Sequence, residues 1–309
     1  MEKDDILGIV AIVGEEGTGK TSMALSFPRK IVHFDIDVGG FRRAAWRLPD
    51  AIKVKLLRAD EKLTDIDSSQ YDIASKPYPK PLQLEKLLGQ QVEKVSSRML
   101  VKFPKKVEGM KELWQTIVID FVAACQMPEV CTIVFDSATL LWNITHNSVL
   151  QEAQERQLYR YQLDHKGQPF DENDFRERLQ AIEYGPANEK ITQLFHTARS
   201  FQKNLILTHY PTDVYGPVPD GKGGFAEGKT GERTLDGYKS TGKLVDIVVW
   251  TAVKEQTEQE GKKIKTLIAK FTKCGVEGMG LGAVGMEIPA TFEGIVNLRR
   301  LLRGVKSSA

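Results

Sequence analysis

Cysteine is scarce in this 309-residue sequence, which contains only Cys125, Cys131 and Cys274. No two of them form a C-x-x-C pair, and their spacing matches no zinc-binding pattern. The sequence therefore gives no indication of a disulfide framework or of a structural metal site. We expect three reduced, buried thiols in a protein of the cytoplasm.

Long apolar runs and an excess of charge of one sign are also absent. No apolar run approaches the roughly 20 residues that a membrane-spanning helix needs. The chain begins Met-Glu-Lys-Asp-Asp, which does not resemble a secretion signal. The 43 Lys and Arg residues nearly balance the 41 Asp and Glu residues, for a net charge of +2. We therefore expect no membrane association, and any nucleic-acid binding must come from local basic patches.

One segment carries a specific motif. Residues 14–21 read GEEGTGKT and match the phosphate-binding pattern G-x-x-x-x-G-K-[ST] at every fixed position. An apolar run at 6–13 precedes the segment and a short helical stretch follows it, which is the strand–loop–helix context of this motif. The residues expected to bind a nucleoside triphosphate are Gly14, Glu15, Glu16, Gly17, Thr18, Gly19, Lys20, Thr21 and Ser22.

The motif assigns separate tasks to its residues. Its glycines let successive backbone N–H groups point at phosphate oxygens, and the helix N-terminus adds partial positive charge. Lys20 is expected to reach the β- and γ-phosphates, and the Thr21 hydroxyl is expected to coordinate Mg²⁺. The sequence therefore predicts a nucleoside triphosphate with Mg²⁺ as the ligand.

Buried apolar runs separated by helical stretches predict an α/β fold with a mostly parallel sheet flanked by helices. The predicted parallel strands are 6–13, 31–37, 131–136 and 204–209. A fifth strand at 245–252 is expected to pair with 265–271 as an antiparallel hairpin at one edge, turning near Gly261. The segment 292–302 is expected to form a closing helix capped by Thr291.

We expect a single domain over residues 1–309 with two insertions. The first, at about 58–108, is polar and contains several prolines, and it is expected to hold a short helix near 82–99. The second, at about 140–202, is helical, and Gly185-Pro186 should break it into two helices.

A phosphate-binding loop needs an acid that holds Mg²⁺ or its water, and two apolar runs end in aspartate. Asp136 ends the run 132–136, and turn residues precede that run as they would precede a strand. Asp120 ends the run 117–120, which also fits a helix face. We favour Asp136, together with Thr21, as the metal-binding pair, and Asp120 is the alternative.

The acid that activates the attacking water must come from elsewhere, because Ser137 follows Asp136 where many motor ATPases have glutamate. Asp35 and Asp37 lie at the end of a predicted strand, on the same side of it. Asp37 is nearer to the carboxyl end, where ligands of open α/β sheets bind. We expect Asp37 to orient or deprotonate the water, and Asp35 is the alternative. Asp37 also fits a purely structural role, as a turn residue at the end of the strand.

His209 ends the fourth predicted strand and is expected to contact the γ-phosphate or the attacking water; a structural, hydrogen-bonded histidine fits as well. The following segment, 210–242, is long and rich in glycine, proline and charge, which is typical of a functional or mobile loop. Its charges nearly balance, so its composition alone does not indicate nucleic-acid binding. A more basic patch near the end of the chain consists of Arg299, Arg300, Arg303 and Lys306.

These motifs resemble those of the RecA-like recombinase ATPases, and most closely the small phage-encoded RecA-like proteins that assist single-strand annealing and recombination. The phosphate-binding loop matches fully. Residues 34–37 resemble the family strand that ends in a catalytic acid, usually Glu, and residues 133–137 resemble its magnesium strand. Residues 205–209 are similar to its sensor strand, where Gln is more typical, and 210–242 falls where the family has a mobile DNA-binding loop.

The resemblance implies an ATPase that uses ATP and Mg²⁺, with Lys20, Asp37, Asp136 and His209 in catalytic roles. It further implies single-stranded DNA as a partner, a homo-oligomer, and a single-strand annealing or binding protein as a second partner. For a phage-encoded protein the compartment is the host cytoplasm.

The same resemblance points to cations beyond the phosphate-binding loop. Lys239 and Lys243 lie near positions from which some family members reach a neighbouring subunit's phosphate. Arg233, in the same long segment, is a further candidate for such a contact or for a contact with DNA.

A nucleotide-gated ATPase that engages a protein partner, without direct DNA binding, is the alternative. A small-molecule kinase would need an arginine-rich lid, but the long segment contains only Arg233. A guanine-specific switch is disfavoured because the nearest match to N/T-K-x-D, at 272–275, lacks the aspartate.

Overall fold

The computed structural model describes residues 7–82, 91–95, 98–102, 105–219, 224–257 and 263–306. The strands are β1 (Ile9–Val13), β2 (Ile31–Asp35), β3 (Val54–Leu56), β4 (Ile73–Pro77), β5 (Gln91–Val95), β6 (Arg98–Lys102), β7 (Thr132–Asp136), β8 (Asn204–His209), β9 (Pro211–Pro219), β10 (Phe225–Leu235), β11 (Ile247–Thr257), β12 (Lys263–Cys274) and β13 (Glu287–Pro289). The helices are α1 (Lys20–Ala24), α2 (Gly40–Ala45), α3 (Met110–Gln126), α4 (Ala138–Asp164), α5 (Tyr184–Ser200), α6 (Thr241–Leu244) and α7 (Phe292–Lys306).

Nine of these strands form one sheet, in the order β13-β12-β11-β1-β8-β7-β2-β4-β3. From β11 to β3 all neighbouring strands pair in parallel, and β12 and β13 add two antiparallel pairs at one edge. The carboxyl ends of the parallel strands therefore meet at one edge of the sheet, where α/β proteins bind ligands. The fold is a mostly parallel α/β sheet of the kind found in P-loop nucleotide-binding proteins.

Helices cover both faces of the sheet because the central strands are apolar on both sides. In β1, Ile9, Ala11 and Val13 face a core that contains residues of α3, α4 and α5. Val10 and Ile12 face a second core that contains residues of α1, α2 and α7. The sheet is thus buried on both faces, and its carboxyl edge is left for chemistry.

The predicted parallel strands and the antiparallel edge pair are confirmed. β11 and β12 pair in antiparallel fashion from Ile247↔Cys274 to Thr257↔Lys263, while the predicted turn at Gly261 lies outside the described residues. The closing helix is confirmed as well, and Thr291 Oγ1 accepts a hydrogen bond from the Gly294 N–H at 3.1 Å.

The first predicted insertion differs from expectation. Residues 73–77 form a strand of the main sheet between β2 and β3, so part of the segment 58–108 belongs to the core. The helix expected near 82–99 is wrong for 91–95, which pairs with 98–102 as an antiparallel hairpin. Valines at positions 92 and 95 favour a strand over a helix. Residues 83–90 lie outside the described part of the chain.

The second predicted insertion is helical as expected, but its break is elsewhere. α4 ends at Asp164 and α5 begins at Tyr184, so the interruption lies before Gly185-Pro186. Pro186 lies in the first turn of α5, where its missing N–H would have no intrahelical partner in any case.

The long segment 210–242 is ordered around an antiparallel hairpin, β9–β10, rather than an irregular loop. This hairpin, which we call the edge ribbon, leaves the sheet directly after β8.

All three cysteines are free thiols, but only Cys125 is fully buried, and burial raises its pKa to about 12. Cys131 and Cys274 are half-buried, which corrects the expectation for those two. Among the described helices none has the length and apolar character needed to cross a bilayer.

Candidate nucleotide-binding site

The phosphate-binding loop lies between β1 and α1 at the carboxyl edge of the sheet. Gly17 and Gly19 adopt left-handed φ angles of 78° and 86°, which residues with a side chain rarely adopt. At Gly14 the constraint is space, because a Cβ there would lie 2.3 Å from Thr251 Oγ1 and 2.5 Å from Thr18 Oγ1. The loop glycines are therefore required by conformation at two positions and by packing at a third.

Lys20 begins α1 and is 8% exposed. Its Nζ donates hydrogen bonds to the carbonyl oxygens of Gly14 and Glu15, each at 2.8 Å, so the ammonium lies inside the curve of the loop. Burial lowers the pKa of Lys20, and the nearby carboxylates of Asp136 and Glu15 oppose that shift. The cation expected to bind phosphate is thus held at the centre of the loop.

Asp136 ends β7 and is almost fully buried. The Thr21 hydroxyl donates to its Oδ2 at 2.7 Å, and the Thr208 hydroxyl donates to its Oδ1. His33 Nε2 lies 3.4 Å from Oδ2. Burial disfavours the charged carboxylate, but the hydrogen bonds from His33, Thr208 and Thr21 outweigh burial and hold the pKa of Asp136 below its usual value. Asp136 is therefore held as an anion beside the phosphate-binding loop.

Sequence reasoning did not identify the residues behind Asp136. His33 is fully buried in β2, and its Nδ1 lies 2.9 Å from Ser75 Oγ of β4. Gly40 lies in front, where an added Cβ would come within 2.6 Å of Asp136 Oδ2. A polar residue inside an apolar strand, such as His33, is a signal in the sequence that could have revealed these contacts.

The structure places the alternative acid Asp120 elsewhere. It lies in α3, where its Oδ2 accepts hydrogen bonds from Lys76 Nζ at 2.7 Å and from the Tyr78 hydroxyl at 2.8 Å. All three side chains are buried. Asp120 thus neutralises a buried lysine in the core and does not line the nucleotide pocket.

Asp35 and Asp37 have different surroundings. Asp35 accepts hydrogen bonds from the backbone N–H groups of Gly39 at 3.0 Å and Gly40 at 3.3 Å, so it caps the start of α2. Burial raises the pKa of Asp35. Asp37 instead lines the pocket in front of the phosphate-binding loop. The geometry therefore favours Asp37 over Asp35 for a role in catalysis, which stays a prediction.

The pocket combines predicted and unpredicted residues. Of the nine residues predicted to bind nucleotide, six line it: Glu16, Gly17, Gly19, Lys20, Thr21 and Ser22. The lining residues that sequence reasoning missed include Arg43, Arg47 and Tyr210. Arg43 donates to Asp37 Oδ2 at 2.6 Å, and Arg47 donates to the Ser22 hydroxyl at 3.2 Å. Their spacing of four residues, directly after Gly39-Gly40, was the signal that could have revealed them.

His209 is not among the described residues that line the pocket. Its Nδ1 lies 2.8 Å from the Asp236 carbonyl oxygen, and its buried Nε2 has no partner among the described residues. Burial lowers the pKa of His209 to about 4, so the ring is neutral near pH 7. This geometry matches the structural alternative, with His209 linking the end of β8 to the end of the edge ribbon.

The three cations predicted to act on a neighbouring subunit or on DNA have separate locations. Arg233 of the edge ribbon forms an ion pair with Glu15 of the same chain's phosphate-binding loop at 2.6 Å. Lys239 and Lys243 are exposed after the ribbon and are not among the described residues that line the pocket.

The residues present fit a nucleotide with Mg²⁺. The Thr21 hydroxyl and the Asp136 carboxylate are adjacent hard oxygen donors, which Mg²⁺ prefers. The loop beside them offers backbone N–H groups and the Lys20 ammonium for phosphate oxygens. Within the described residues no group of three or more His, Cys, Asp or Glu side chains could hold a metal ion.

A phosphate-binding loop at the carboxyl edge of a parallel sheet, with a threonine–aspartate pair beside it, defines the chain as a P-loop nucleotide-binding protein. The model of the family AAA_24, described as an AAA domain, matches residues 9–266, and the chain belongs to this family. It is therefore a nucleotide-binding ATPase of the P-loop class. A search of curated proteins gives no match.

Proposed function

We propose that this chain is a Mg²⁺-dependent ATPase whose turnover is coupled to single-stranded DNA held on the edge ribbon. The proposal includes a role in recombination or strand annealing of the phage-encoded type, which the resemblance to RecA-like proteins implies. The observation that carries it is the ion pair between Arg233 and Glu15 at 2.6 Å, because it joins the ribbon directly to the phosphate-binding loop.

In this function the site residues bind and polarise the triphosphate. Lys20 and the loop N–H groups would bind the phosphate oxygens, and Thr21 and Asp136 would hold Mg²⁺, whose charge would offset negative charge on the phosphates. Asp37 orients the attacking water or accepts its proton. Catalysis is thus mainly positioning and electrostatic stabilisation.

The edge ribbon supports single-stranded DNA as the second ligand. Its Tyr215 is 61% exposed and its Phe225 is 75% exposed, although large aromatic side chains are usually buried. Bases stack on exposed aromatic rings with about 1–3 kcal/mol per base, without regard to sequence. Lys229, opposite Tyr215 in the ribbon, places a cation beside one of these rings.

The proposal extends to assembly. We expect a homo-oligomer in which Lys239 and Lys243, both exposed, reach toward the nucleotide of a neighbouring subunit. A single-strand annealing or binding protein is the expected additional partner, in the cytoplasm of the host cell. Measuring the molecular mass with no nucleotide, with ADP and with a non-hydrolysable ATP analogue tests this part.

A nucleotide-gated ATPase that binds a protein partner is the second candidate. It is favoured by the ion pairing of the ribbon's cations, since Lys229 pairs with Asp213 at 2.5 Å and Arg233 pairs with Glu15. Cations engaged in this way attract a polyanion less strongly than free ones do.

The discriminating experiment compares ATP turnover with and without single-stranded DNA and repeats the DNA-binding measurement over a range of salt concentrations. The proposal expects DNA to stimulate turnover and its affinity to fall steeply with salt, because phosphate contacts release counterions. Turnover that is independent of DNA, with no salt-dependent binding, would leave the ATPase assignment in place and favour the protein-partner function.

A further inference from the structure

Tyr210 touches both charged groups on which the proposed hydrolysis depends. Its hydroxyl donates a hydrogen bond to Asp37 Oδ2 at 3.2 Å. The Lys20 ammonium lies 4.5 Å from the centre of the Tyr210 ring, a cation–π distance. One side chain therefore bridges the phosphate-binding cation and the acid expected to activate water.

The backbone of Tyr210 is fixed at the base of the edge ribbon. Its N–H donates to Thr139 Oγ1 at 3.2 Å, and its carbonyl oxygen accepts from the Asp236 N–H at 2.8 Å. Thr139 in turn donates to the Asp236 carbonyl oxygen at 2.9 Å. The two ends of the ribbon and the start of α4 are thus tied together at Tyr210.

Both side-chain hydrogen bonds to the Asp37 carboxylate reach the same oxygen atom. Arg43 donates to Oδ2 at 2.6 Å, and Tyr210 donates to the same atom. Within the described part of the chain, both side-chain hydrogen bonds to Asp37 end on Oδ2 and none ends on Oδ1, and this side chain lines the pocket. The pair of donors therefore fixes the carboxylate through one oxygen and leaves the other to accept a hydrogen bond from water.

We infer that Tyr210 is a positioning residue that sets the orientation of the Asp37 carboxylate and links that orientation to the base of the edge ribbon. The inference rests on the proposed function, in which Asp37 acts on the attacking water. Burial and the neighbouring Asp37 raise the pKa of Tyr210 to about 12, so the hydroxyl keeps the proton that it donates throughout the usual assay range.

The test uses Tyr210→Phe, which removes the hydroxyl and keeps the ring beside Lys20. Single-turnover ATP hydrolysis is measured for the wild-type chain, Tyr210→Phe, Asp37→Asn and the double variant. We expect Tyr210→Phe to lower the rate at least about 10-fold, part of the 10²–10⁴ that a positioned acid–base group contributes. The KM for ATP should change less than about 2-fold, because the phosphate contacts are retained. Tyr159→Phe, at an exposed position of α4, is the matched control and should match the wild type.

The double variant separates positioning from general structural damage. If Tyr210 acts through Asp37, adding Tyr210→Phe to Asp37→Asn should lower the residual rate no further. An equal fold-loss in both backgrounds would overturn the inference, as would a Tyr210→Phe rate equal to that of the wild type while Asp37→Asn is impaired. Absence of ATP hydrolysis by the wild-type chain would instead overturn the proposed function, and this inference with it.

The link to the ribbon has its own variant. Thr139→Val removes the hydroxyl that binds both the Tyr210 N–H and the Asp236 carbonyl oxygen, at nearly constant volume. We expect it to lower the single-turnover rate in the same direction as Tyr210→Phe and to be less than additive with it. A Thr139→Val rate equal to that of the wild type would overturn the link to the ribbon.

Discussion

The Thr21 hydroxyl donates a hydrogen bond to Asp136 Oδ2 at 2.7 Å, so the end of the phosphate-binding loop and the end of β7 meet at one point. The two residues are 115 positions apart in the sequence, and only the strand order brings them together. Both are oxygen donors beside Lys20. This contact marks the position at which Mg²⁺ is expected to bind.

Replacing Thr21 with valine should weaken the use of Mg²⁺ with little effect on folding. The substitution removes one oxygen ligand and one hydrogen bond to Asp136 and preserves the side-chain volume. We expect the Mg²⁺ concentration for half-maximal turnover to rise by about 10- to 100-fold, the range typical of lost metal-site contacts. A Mg²⁺ titration of ATP turnover measures this. Thr116→Val, on the exposed face of α3, is the control, and an unchanged Mg²⁺ requirement in Thr21→Val would contradict the metal assignment.

Gly40→Ala should impair turnover through a steric contact alone. An added Cβ would lie 2.6 Å from Asp136 Oδ2, a separation that real Cβ atoms do not show, so either the carboxylate or the start of α2 must shift. We expect a loss of turnover of at least about 10-fold, since small displacements at a catalytic centre cost that much or more. Gly185→Ala is the control, because a Cβ there meets nothing within 4 Å. Equal turnover of both alanine variants would mean that the position of Asp136 is not critical.

Asp120→Ala should affect stability and spare the chemistry. It would leave the buried Lys76 ammonium without its carboxylate partner, and breaking one side of a buried ion pair costs about 3–5 kcal/mol. Thermal or denaturant unfolding measures the loss, and turnover of the folded protein below the transition should match the wild type. Asp60→Ala removes an exposed carboxylate paired with Arg58 and should cost less than about 1 kcal/mol. A stable Asp120→Ala variant without ATPase activity would reverse the roles of the two aspartates.

The sequence was sufficient to predict the features that depend on local pattern. The strands of the parallel core are apolar runs, and the phosphate-binding loop is defined by fixed residues. Asp136 ends a strand, as the turn residues before its run predict. Asp120 lies in a helix, as the helical periodicity around it predicts.

The features that sequence reasoning missed depend on distant partners. Strand β4 contains Ser75 and Lys76, both buried, and they are tolerated there only because His33 and Asp120 hydrogen-bond to them. Tyr210 reaches Asp37 across 173 positions of sequence, which no local pattern encodes. The edge ribbon was interpreted as a loop because its glycines and prolines hide the alternation of its strands.

Mild acid should destabilise the folded chain through His209. Burial lowers its pKa from 6.5 to about 4, so the unfolded chain binds a proton at a higher pH than the folded chain does. The contribution of neutral His209 to the free energy of unfolding is therefore complete above about pH 6.5 and is lost as the pH falls toward about 4. Relative to about pH 7, we expect a loss of about 2 kcal/mol at about pH 5 from this residue.

His209→Gln isolates that contribution, because glutamine does not titrate. Between about pH 7 and pH 5 the unfolding free energy of this variant should fall less than that of the wild type. His196→Gln, at an exposed position of α5, should keep the wild-type dependence. If His209→Gln and the wild type lose stability in parallel, another group is responsible for the acid sensitivity.

The ion pair between Arg233 and Glu15 should carry the response of turnover to single-stranded DNA. Arg233→Glu replaces attraction with repulsion between the ribbon and the phosphate-binding loop. The effect on stability should be below about 1 kcal/mol because both side chains are largely exposed. We expect stimulation by DNA to fall several-fold, with less change in turnover without DNA.

A charge exchange and a matched control make this prediction specific. Combining Glu15→Arg with Arg233→Glu restores an attractive pair at the same two positions, so the double variant should regain much of the stimulation. Lys229→Glu alters a ribbon cation that pairs with Asp213 inside the ribbon, and it should lower DNA affinity without uncoupling bound DNA from turnover. If the double variant responds to DNA as weakly as Arg233→Glu alone, then attraction at this point does not transmit DNA binding.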